Sequence, residues 1–566
     1  MKNLFLLLLI SIYVKTAVAQ TYVSGFISSN TTWNLAGSPY IVNGNALLSH
    51  GFTLTIEPGV VVKFDTNKAL QIDGELIAIG TPQNRITFTS NKPIPAPGDW
   101  AKIHFSDVCT SATLDTSGNY ISGSIMKYCD IKYGGALGFG EIHIITSSPY
   151  FSHCSVSYSA ADGIYSTMTT YAIDSSVISN CTGSGLHFFR FYQNSCSITI
   201  QDDSVLNNTG GGIDFAGHYS FLNCNYNHFT LIRRNVFISN SPFALLGEGD
   251  NNDSLIVSEN IFENNFGTGV TLGFAVTTYA IGCNKFINNQ TADGILGLGG
   301  DNYSSLTSSF HIEENIFQGN ILGAGNSAIS INNSANSKNI YFTNNIIENN
   351  SAPGGEILSI GGNVTSIFQV HHNDIRNNIG LSCINLSAPN GTGSNYTYCD
   401  VRYNNLVNPG CQYEFYNNVP YGGPNILADS IYWGSQNTQH VDSVIFDYFD
   451  FANQSVVFYQ PILLFPTEAD TVCRILSIGI SELQNSNHFS FAFPNPFSQT
   501  ATIRFDKELY HSSFKLFDIF GQVVNSIENI SGKEITISRE NLSAGVYFYT
   551  VIDKNASLYS GKVIIQ

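Results

Sequence analysis

The sequence predicts an all-β chain: a right-handed parallel β-helix solenoid followed by a small C-terminal β-sandwich. Three observations predict it. Charged residues are only 12% of the 566, and Asn, Ser, Thr and Gly supply the polarity instead, which suits short strands and tight turns rather than long helices. The segment ENIFENN (Glu259–Asn265) recurs as CNKFINN (Cys283–Asn289), ENIFQGN (Glu314–Asn320), NNIIENN (Asn344–Asn350) and HNDIRNN (His372–Asn378). Beyond Phe465 this register is lost, and a different alternation of apolar runs and turn signals takes over.

Residues 1–19 read as a secretory signal: Lys2 is the positive end, Phe5 to Ile10 begin the apolar stretch, and Ala17-Val18-Ala19 offers a cleavage site before Gln20. No Cys follows the apolar run, so a bacterial lipid anchor is not expected, and no later stretch is apolar enough to span a bilayer. The solenoid is placed at 20–465. Its first part, 20–125, reads as capping turns: LTIEPGVVVKF (Leu54–Phe64), LQIDGELIAIGT (Leu70–Thr81), RITFTS (Arg85–Ser90) and GDW (Gly98–Trp100), joined by Pro-Gly and Asp-Gly turns.

Regular turns occupy 126–411. With the first Asn of the motif as position zero, eleven turns align at Cys129, Cys154, Ser175, Asp203, Asn235, Asn260, Asn284, Asn315, Asn345, Asn373 and Asn404, 21 to 32 residues apart. Three residues earlier the residue is always apolar, from Met126 to Val401, and two residues later it is apolar again, from Ile131 to Leu406. Five residues later it is Asn in eight of eleven turns, from Asn180 to Asn378, with Gly134, Ser159 and Pro409 as exceptions. A second strand often follows, as in SGLHF (Ser184–Phe188) and GGIDF (Gly211–Phe215). One such unit cannot bury its apolar face alone, so the units must stack at about 4.8 Å. Phe237, Phe262, Phe286 and Phe317 should then stack in one ladder, and the Asn rows should form amide ladders at two corners. Variable spacing is absorbed by corner insertions. The frameworks of a leucine-rich repeat and of a calcium-binding β-roll are absent.

Closing turns are placed at 412–465, with YWG (Tyr432–Gly434), DYFD (Asp447–Asp450) and VVFYQPIL (Val456–Leu463). A linker follows at 466–489. The last module, 490–566, alternates strands with turns: FAFPNPF (Phe491–Phe497), ATIRF (Ala501–Phe505), FKLFDIFGQVV (Phe514–Val524), LSAGVYFYTV (Leu542–Val551) and GKVIIQ (Gly561–Gln566).

The repeat region resembles the broad family of right-handed β-helix repeat proteins, many of which bind or cleave polysaccharides. Its first turns look like those of bacterial surface β-helix proteins. The last module closely resembles the type A C-terminal sorting domain of the Bacteroidetes type IX secretion system, through Pro494-Asn495-Pro496, Leu516-Phe517-Asp518 with Gly521, Ala544-Gly545-Val546-Tyr547 and Lys562-Val563-Ile564-Ile565. That resemblance implies handling by the type IX machinery, cleavage of the tail, and release of the cargo or its attachment to the cell surface.

The formal net charge of −18 argues against nucleic acid and anionic membranes as partners. Eleven scattered Cys residues show neither a disulfide framework nor zinc spacing, and most should be small buried groups. No catalytic constellation stands out, and no catalytic, cofactor or metal residue is assigned. Basic residues on the coil are few: Lys132, Arg190, Arg233, Arg234, Lys285, Lys338, Arg376 and Arg402. Asp202-Asp203 and Asp250–Asp253 are the acidic clusters; Asp203 reads as a ladder residue, and GEGDNND (Gly247–Asp253) as a corner loop that could hold Ca2+. Glu348 and Arg376 read as a surface ion pair, and His371-His372 as one outward and one corner residue. FFRFY (Phe188–Tyr192) and CQYEFYNN (Cys411–Asn418) are aromatic candidates for sugar stacking, with half of each expected to face the core. Asp203-Ser204-Val205, Asp253-Ser254-Leu255, Asp429-Ser430-Ile431, Asp442-Ser443-Val444 and Asp470-Thr471-Val472 match a short O-glycosylation pattern. Two functions remain: a secreted or surface β-helix that binds extracellular polysaccharide or acts in adhesion, and, less favoured, an extracellular polysaccharide lyase or glycoside hydrolase.

Overall fold

In a computed structural model the chain divides into two units, Met1–Cys473 and Arg474–Gln566. The structure describes all residues except 1–19, 116–117, 168–170, 190–196, 217–228, 250–253, 275–277, 301–307, 334–337, 362–366, 388–398, 422–424, 468–489, 494–496, 518–522, 540–541, 544, 554–555 and 566. The expected signal peptide, most of the linker and Asp250–Asp253 therefore lie outside the described residues.

The first unit is a parallel β-helix. A typical coil contributes three short strands, each paired in parallel with its counterpart one coil on; the short antiparallel pair Thr113–Leu114 and Tyr120–Ser122 stands outside these ladders. One face is a 16-stranded ladder from Thr31–Trp33 to Val457–Phe458. The other two faces are ladders within one 31-stranded sheet, linked by strands such as Tyr40–Leu48 that turn from one face to the next. In one coil, Ser254–Ser258, Ile261–Glu263 and Phe266–Phe274 lie on the three faces in turn. The segments expected as capping turns are full rungs of the same ladders: Glu75–Ile79 pairs with Ile125–Lys127, and Ile86–Ser90 pairs with Cys129–Lys132.

Alternation fills the interior. Val257, Phe262, Val270 and Leu272 are buried from the three faces of one coil. Phe237, Phe262, Phe286 and Phe317 stack with centroids 4.7, 4.9 and 4.6 Å apart and nearly parallel rings. At the N-terminal end Trp100 stacks on Phe64 at 4.2 Å, and its indole N–H donates to the Lys132 carbonyl at 2.9 Å.

Two sharp corners per coil explain the Asn pattern. At the first, the residue before position zero has positive φ, as at Glu259 (57°) and Cys283 (58°). At the second, Asn264, Asn288, Asn349 and Asn377 take this left-handed conformation, which Asn tolerates best among residues with a Cβ. In the doublet Asn264-Asn265 the first residue thus makes the bend and the second enters the ladder. Asn260 shows how a ladder amide flanked by Asn on both sides is saturated. Asn260 Nδ2 donates to the Ile232 carbonyl at 2.9 Å and to Asn284 Oδ1 at 3.0 Å. Its own Oδ1 accepts from the Asn235 backbone N–H at 2.9 Å and from Asn235 Nδ2 at 3.1 Å. Corner groups that the strands cannot pair are satisfied by the next coil.

Two turns differ from the alignment read in the sequence. Position zero of the third turn is Ser176, not Ser175: Ser175 carries the positive φ (52°), and Ser176 Oγ accepts from the Cys154 N–H at 3.0 Å. Its inward residues are accordingly Ile173 and Ile178, and Cys181 rather than Asn180 faces the interior. In the last turn Asn408, not Pro409, closes the second ladder, accepting from the Asn378 N–H at 3.0 Å, because that turn omits the left-handed residue. Glu414 caps this ladder by accepting from both the backbone N–H and Nδ2 of Asn408. The closing region also forms a short helix, Thr438–Ser443, capped by Asn437, where only strands and turns were expected.

The second unit is antiparallel. Thr500–Phe517 is a long strand with register shifts; it pairs with Ser490–Phe493, Val523–Ser538 and Gly545–Asp553, and the last of these pairs with Ala556–Ile565. Bulges of this kind bend a strand. The expected small sandwich is thus seen as one hydrogen-bonded, five-stranded antiparallel sheet around its own core. Tyr547, Tyr549 and Val551, at period two, are all buried in that core.

Candidate functional site: an outward column of rings

The third face carries a chemistry that no single motif announces. Its strands include Ile103–Phe105, Gly140–Ile145, Asp162–Thr167, Leu186–Phe189 and Ile213–Ala216. In each, two residues flanking a central one point inward, such as Leu186 and Phe188 or Ile213 and Phe215. The central residues lie on the outer side of the strands and pair in register: His104 with His143, His143 with Tyr165, Tyr165 with His187, and His187 with Asp214; His143 is itself buried, 5% exposed, with Phe139 and Lys102 against it. One column therefore places three imidazoles, a phenol and a carboxylate on successive coils.

The rings are in contact. Centroids of His104 and His143 are 4.8 Å apart, those of His143 and Tyr165 5.5 Å, and those of Tyr165 and His187 4.7 Å. Phe139, 44% exposed, lies flat against His143 at 4.7 Å with an interplanar angle of 2°. Lys102 Nζ donates to His143 Nδ1 at 2.9 Å and sits 4.7 Å from the Phe139 centroid. At the other end His187 Nδ1 is 3.1 Å from Asp162 Oδ2 and 3.9 Å from Asp214 Oδ2.

Protonation states differ along the column. Burial, then the charges of Lys102 and His104, push His143 down to about 3, so it is neutral at physiological pH. Burial also lowers Lys102 below the ordinary lysine range. For His187, burial opposes the charge, but the hydrogen bond and charge of Asp162, with Asp214 behind, outweigh it and raise the pKa. Tyr165 is raised by burial and by Asp162. A neutral imidazole and a more readily protonated one thus flank a neutral phenol. His187 Nε2 is buried and has no hydrogen-bond partner among the described residues. The arrangement can stack on planar or pyranose faces and can donate and accept hydrogen bonds within one strip.

The candidates read from the sequence fall elsewhere. Asp203 is a buried ladder residue, and Asp202 pairs with Arg234 at 2.6 Å. Arg376 pairs with Asp374 rather than with Glu348, which accepts from Gln318 Nε2 at 2.9 Å. His372 is a corner residue with φ of 55°, and His371 lies on the strand Ile367–His371. Phe188 is core, stacked on Phe215 at 4.9 Å, while residues 190–192 lie outside the described residues. In CQYEFYNN, Glu414 and Phe415 are buried, and Tyr413 and Tyr416 are half-buried. Asp442 and Ser443 end the short helix, and residues 470–472 lie outside the described residues. Cys109, Cys129, Cys154, Cys181, Cys383 and Cys399 are buried free thiols. Among the described residues no group of three or more His, Cys, Asp or Glu could hold a metal ion, and no helix is long and apolar enough to cross a membrane.

Fold and column define a long parallel β-helix presenting a ring-lined strip, with an antiparallel β module at its C-terminus. Residues 25–138 match the family model of the pectate-lyase like beta helix domain, and residues 492–566 match that of the secretion system C-terminal sorting domain. The sorting domain implies handling by the type IX secretion machinery and export to the medium or the cell surface. A stretch of 83 residues is 37% identical to Protein bark beetle of Drosophila melanogaster. It covers 14% of this chain and spans only 3% of that protein's length.

Proposed function

We propose that the protein is an extracellular glycan-binding β-helix, delivered through the type IX route after removal of residues 1–19 and holding sugar rings on the His104–His143–Tyr165–His187 column. The observation that carries this reading is the register-paired column itself: four contacting rings beside Lys102, Asp162 and Asp214 on a face whose backbone is already fully paired. Aromatic surfaces supply stacking area, and the flanking charges supply hydrogen bonds to hydroxyls. The test is retention on immobilised polysaccharides and printed glycans. Y165A together with H187A should weaken retention at least tenfold, with melting curves checking that the variant still folds. Failure of the wild type to bind any glycan, or unchanged binding by the double variant, would overturn the reading.

A second reading, an extracellular polysaccharide lyase or hydrolase, is favoured by one feature. His143 and His187, on either side of Tyr165, are pushed toward opposite protonation states, as acid–base chemistry requires. New reducing or unsaturated chain ends formed by the wild type and lost in H187A would establish it. Bound but intact polysaccharide would rule it out for the polymers tested.

A further inference from the structure

We propose that the ring column continues into a trough about 38 Å long, that Tyr413, Tyr416 and Phe446 form a second stacking site at its far end, and that one linear, uncharged polysaccharide lies along it. The proposal rests on the glycan reading of the near end. From His187 the register runs through Asp214, Leu246, Thr271, Gly297, Ser330, Ser359 and Asn385 to Tyr416, and then to Phe446. His187 to Tyr416 is eight steps in these pairings, which at about 4.8 Å per step gives the length.

The relief of this strip is uneven. Rings stand at the near end. From Thr271 to Asn385 no side chain of the column is charged and none is larger than Asn; one carboxylate, Glu356, lies beside it, accepting from Asn385 Nδ2 at 3.2 Å and from Ser327 Oγ at 2.6 Å. A Cβ built on Gly297 meets nothing closer than Thr271 Oγ1 at 3.5 Å, and its φ is not positive, so neither packing nor backbone demands glycine there. The missing side chain leaves the floor low. Rings return at the far end: Tyr416 and Phe446 stack at 4.5 Å and 4°, and Tyr413 is turned 62° and 61° to them at 5.5 Å from each. Among the described residues Phe446 is the last rung of this ladder, so one of its faces has no ladder neighbour there. Asn385 Oδ1, beside Tyr416 in register, is buried with no hydrogen-bond partner among the described residues.

The chemistry of the floor selects the occupant. A polyanion such as nucleic acid would meet no Lys or Arg between Leu246 and Phe446 in this column, on a chain of net charge −18. An extended peptide binds by adding a strand to a sheet edge, whereas this is a sheet face whose backbone groups are already paired. Hydroxyl and amide groups of Thr271, Ser330, Ser359 and Asn385 between two ring clusters suit a polyhydroxylated chain that stacks at both ends.

The experiment compares the secreted protein's affinity for neutral linear glycans of two lengths, using cello-, xylo- and manno-oligosaccharides shorter than the trough and the parent polymers. Y416A with F446A should weaken polymer binding at least tenfold and leave short-chain binding unchanged. G297Y, which raises a side chain in the floor, should do the same, while Y165A should weaken both lengths. Melting curves check that each variant folds. Polymer affinity unchanged in Y416A/F446A and in G297Y, with Y165A still defective, overturns the trough and leaves the near-end site standing. No binding by the wild type at either length overturns both.

Discussion

Asp203 is the residue at which the ladder's logic can be tested most sharply. It occupies a rung where the next seven coils carry Asn. Its Oδ1 accepts from the Ser176 N–H at 2.6 Å, as an Asn oxygen would. Its Oδ2 stands where the amide nitrogen of Asn235 sits one coil on, and that nitrogen donates to the Ile200 carbonyl at 2.9 Å and to Asn260 Oδ1 at 3.1 Å. By the same repeat, Oδ2 of Asp203 faces two acceptors. A carboxylate there would meet lone pairs with lone pairs, and Oδ2 accepts no hydrogen bond among the described residues. Burial, reinforced by Asp174 and Asp202, raises the Asp203 pKa well above the ordinary value despite the Ser176 N–H. We therefore read Asp203 as a neutral acid that donates one hydrogen bond where Asn donates two.

The sign of the pH effect follows. Because the folded-state pKa is raised, Asp203's contribution is complete below the unfolded-state pKa of about 3.9 and is lost as pH rises above it, since the unfolded chain ionises first. The loss is about 1.4 kcal/mol per pH unit until the folded-state pKa is reached. Asp203→Asn removes that loss and adds one hydrogen bond worth about 1 kcal/mol. Guanidinium unfolding of the β-helix at pH 4, 5.5 and 7 should show D203N more stable than wild type, by about 1 kcal/mol at the lowest pH and by a margin that grows with pH. The reciprocal change Asn260→Asp should destabilise, most at high pH. A D203N advantage that is absent, or flat with pH, would refute the neutral-acid reading.

Three further outcomes follow from the same contacts. Phe262→Ala removes a ring stacked on both neighbours at 4.7 and 4.9 Å and should cost about 3–5 kcal/mol, read as a lowered unfolding midpoint. Asp162→Asn should lower the His187 pKa measured by NMR titration. Because the partnered histidine's pKa is raised, its stability contribution is present below about pH 6.5 and lost as pH rises through the folded-state value, and the variant should flatten that dependence. Deleting 491–566 should leave the protein in the periplasm of its host, and normal surface or medium levels of the truncated form would count against the export route.

What the sequence made legible is what the stack repeats. An inward apolar residue is needed on every coil, so Phe237 to Phe317 recur at matching positions. A corner amide must serve two coils at once, so Asn260 and Asn265 recur. The errors arose where one residue type satisfies two demands. Asn is favoured both in the left-handed bend and in the ladder, so Asn180, a bend residue, passed for a ladder residue and pulled Ser175 into the place of Ser176. Pro409 was misplaced because the last turn drops its bend residue, a deletion visible only through the Asn378–Asn408 hydrogen bond. The ring column was missed for a different reason. SGLHF and GGIDF were read for their buried flanks, and the His and Asp between them lie 27 residues apart, a distance that means nothing until the strands are stacked.

That separation of roles also bears on where function can reside. In each coil the inward residues and the two corner residues are committed, since each touches the coils above and below. The outward centre of each strand is bound by its own column and by a few flanking groups, such as Lys102 and Phe139 at His143 and Asp162 at His187. A substitution there leaves the interior and both amide ladders intact, so outward positions can change with little cost to stability. Rings, charges and small residues on such a column therefore need a reason other than folding. At His143 and His187 the arrangement works against the hydration of an ionised imidazole: both are mostly covered, one beside Lys102 and the other between two carboxylates. Grouping such side chains on consecutive coils, with small uncharged residues beyond and aromatic rings after those, is explained more directly by a long ligand than by the scaffold.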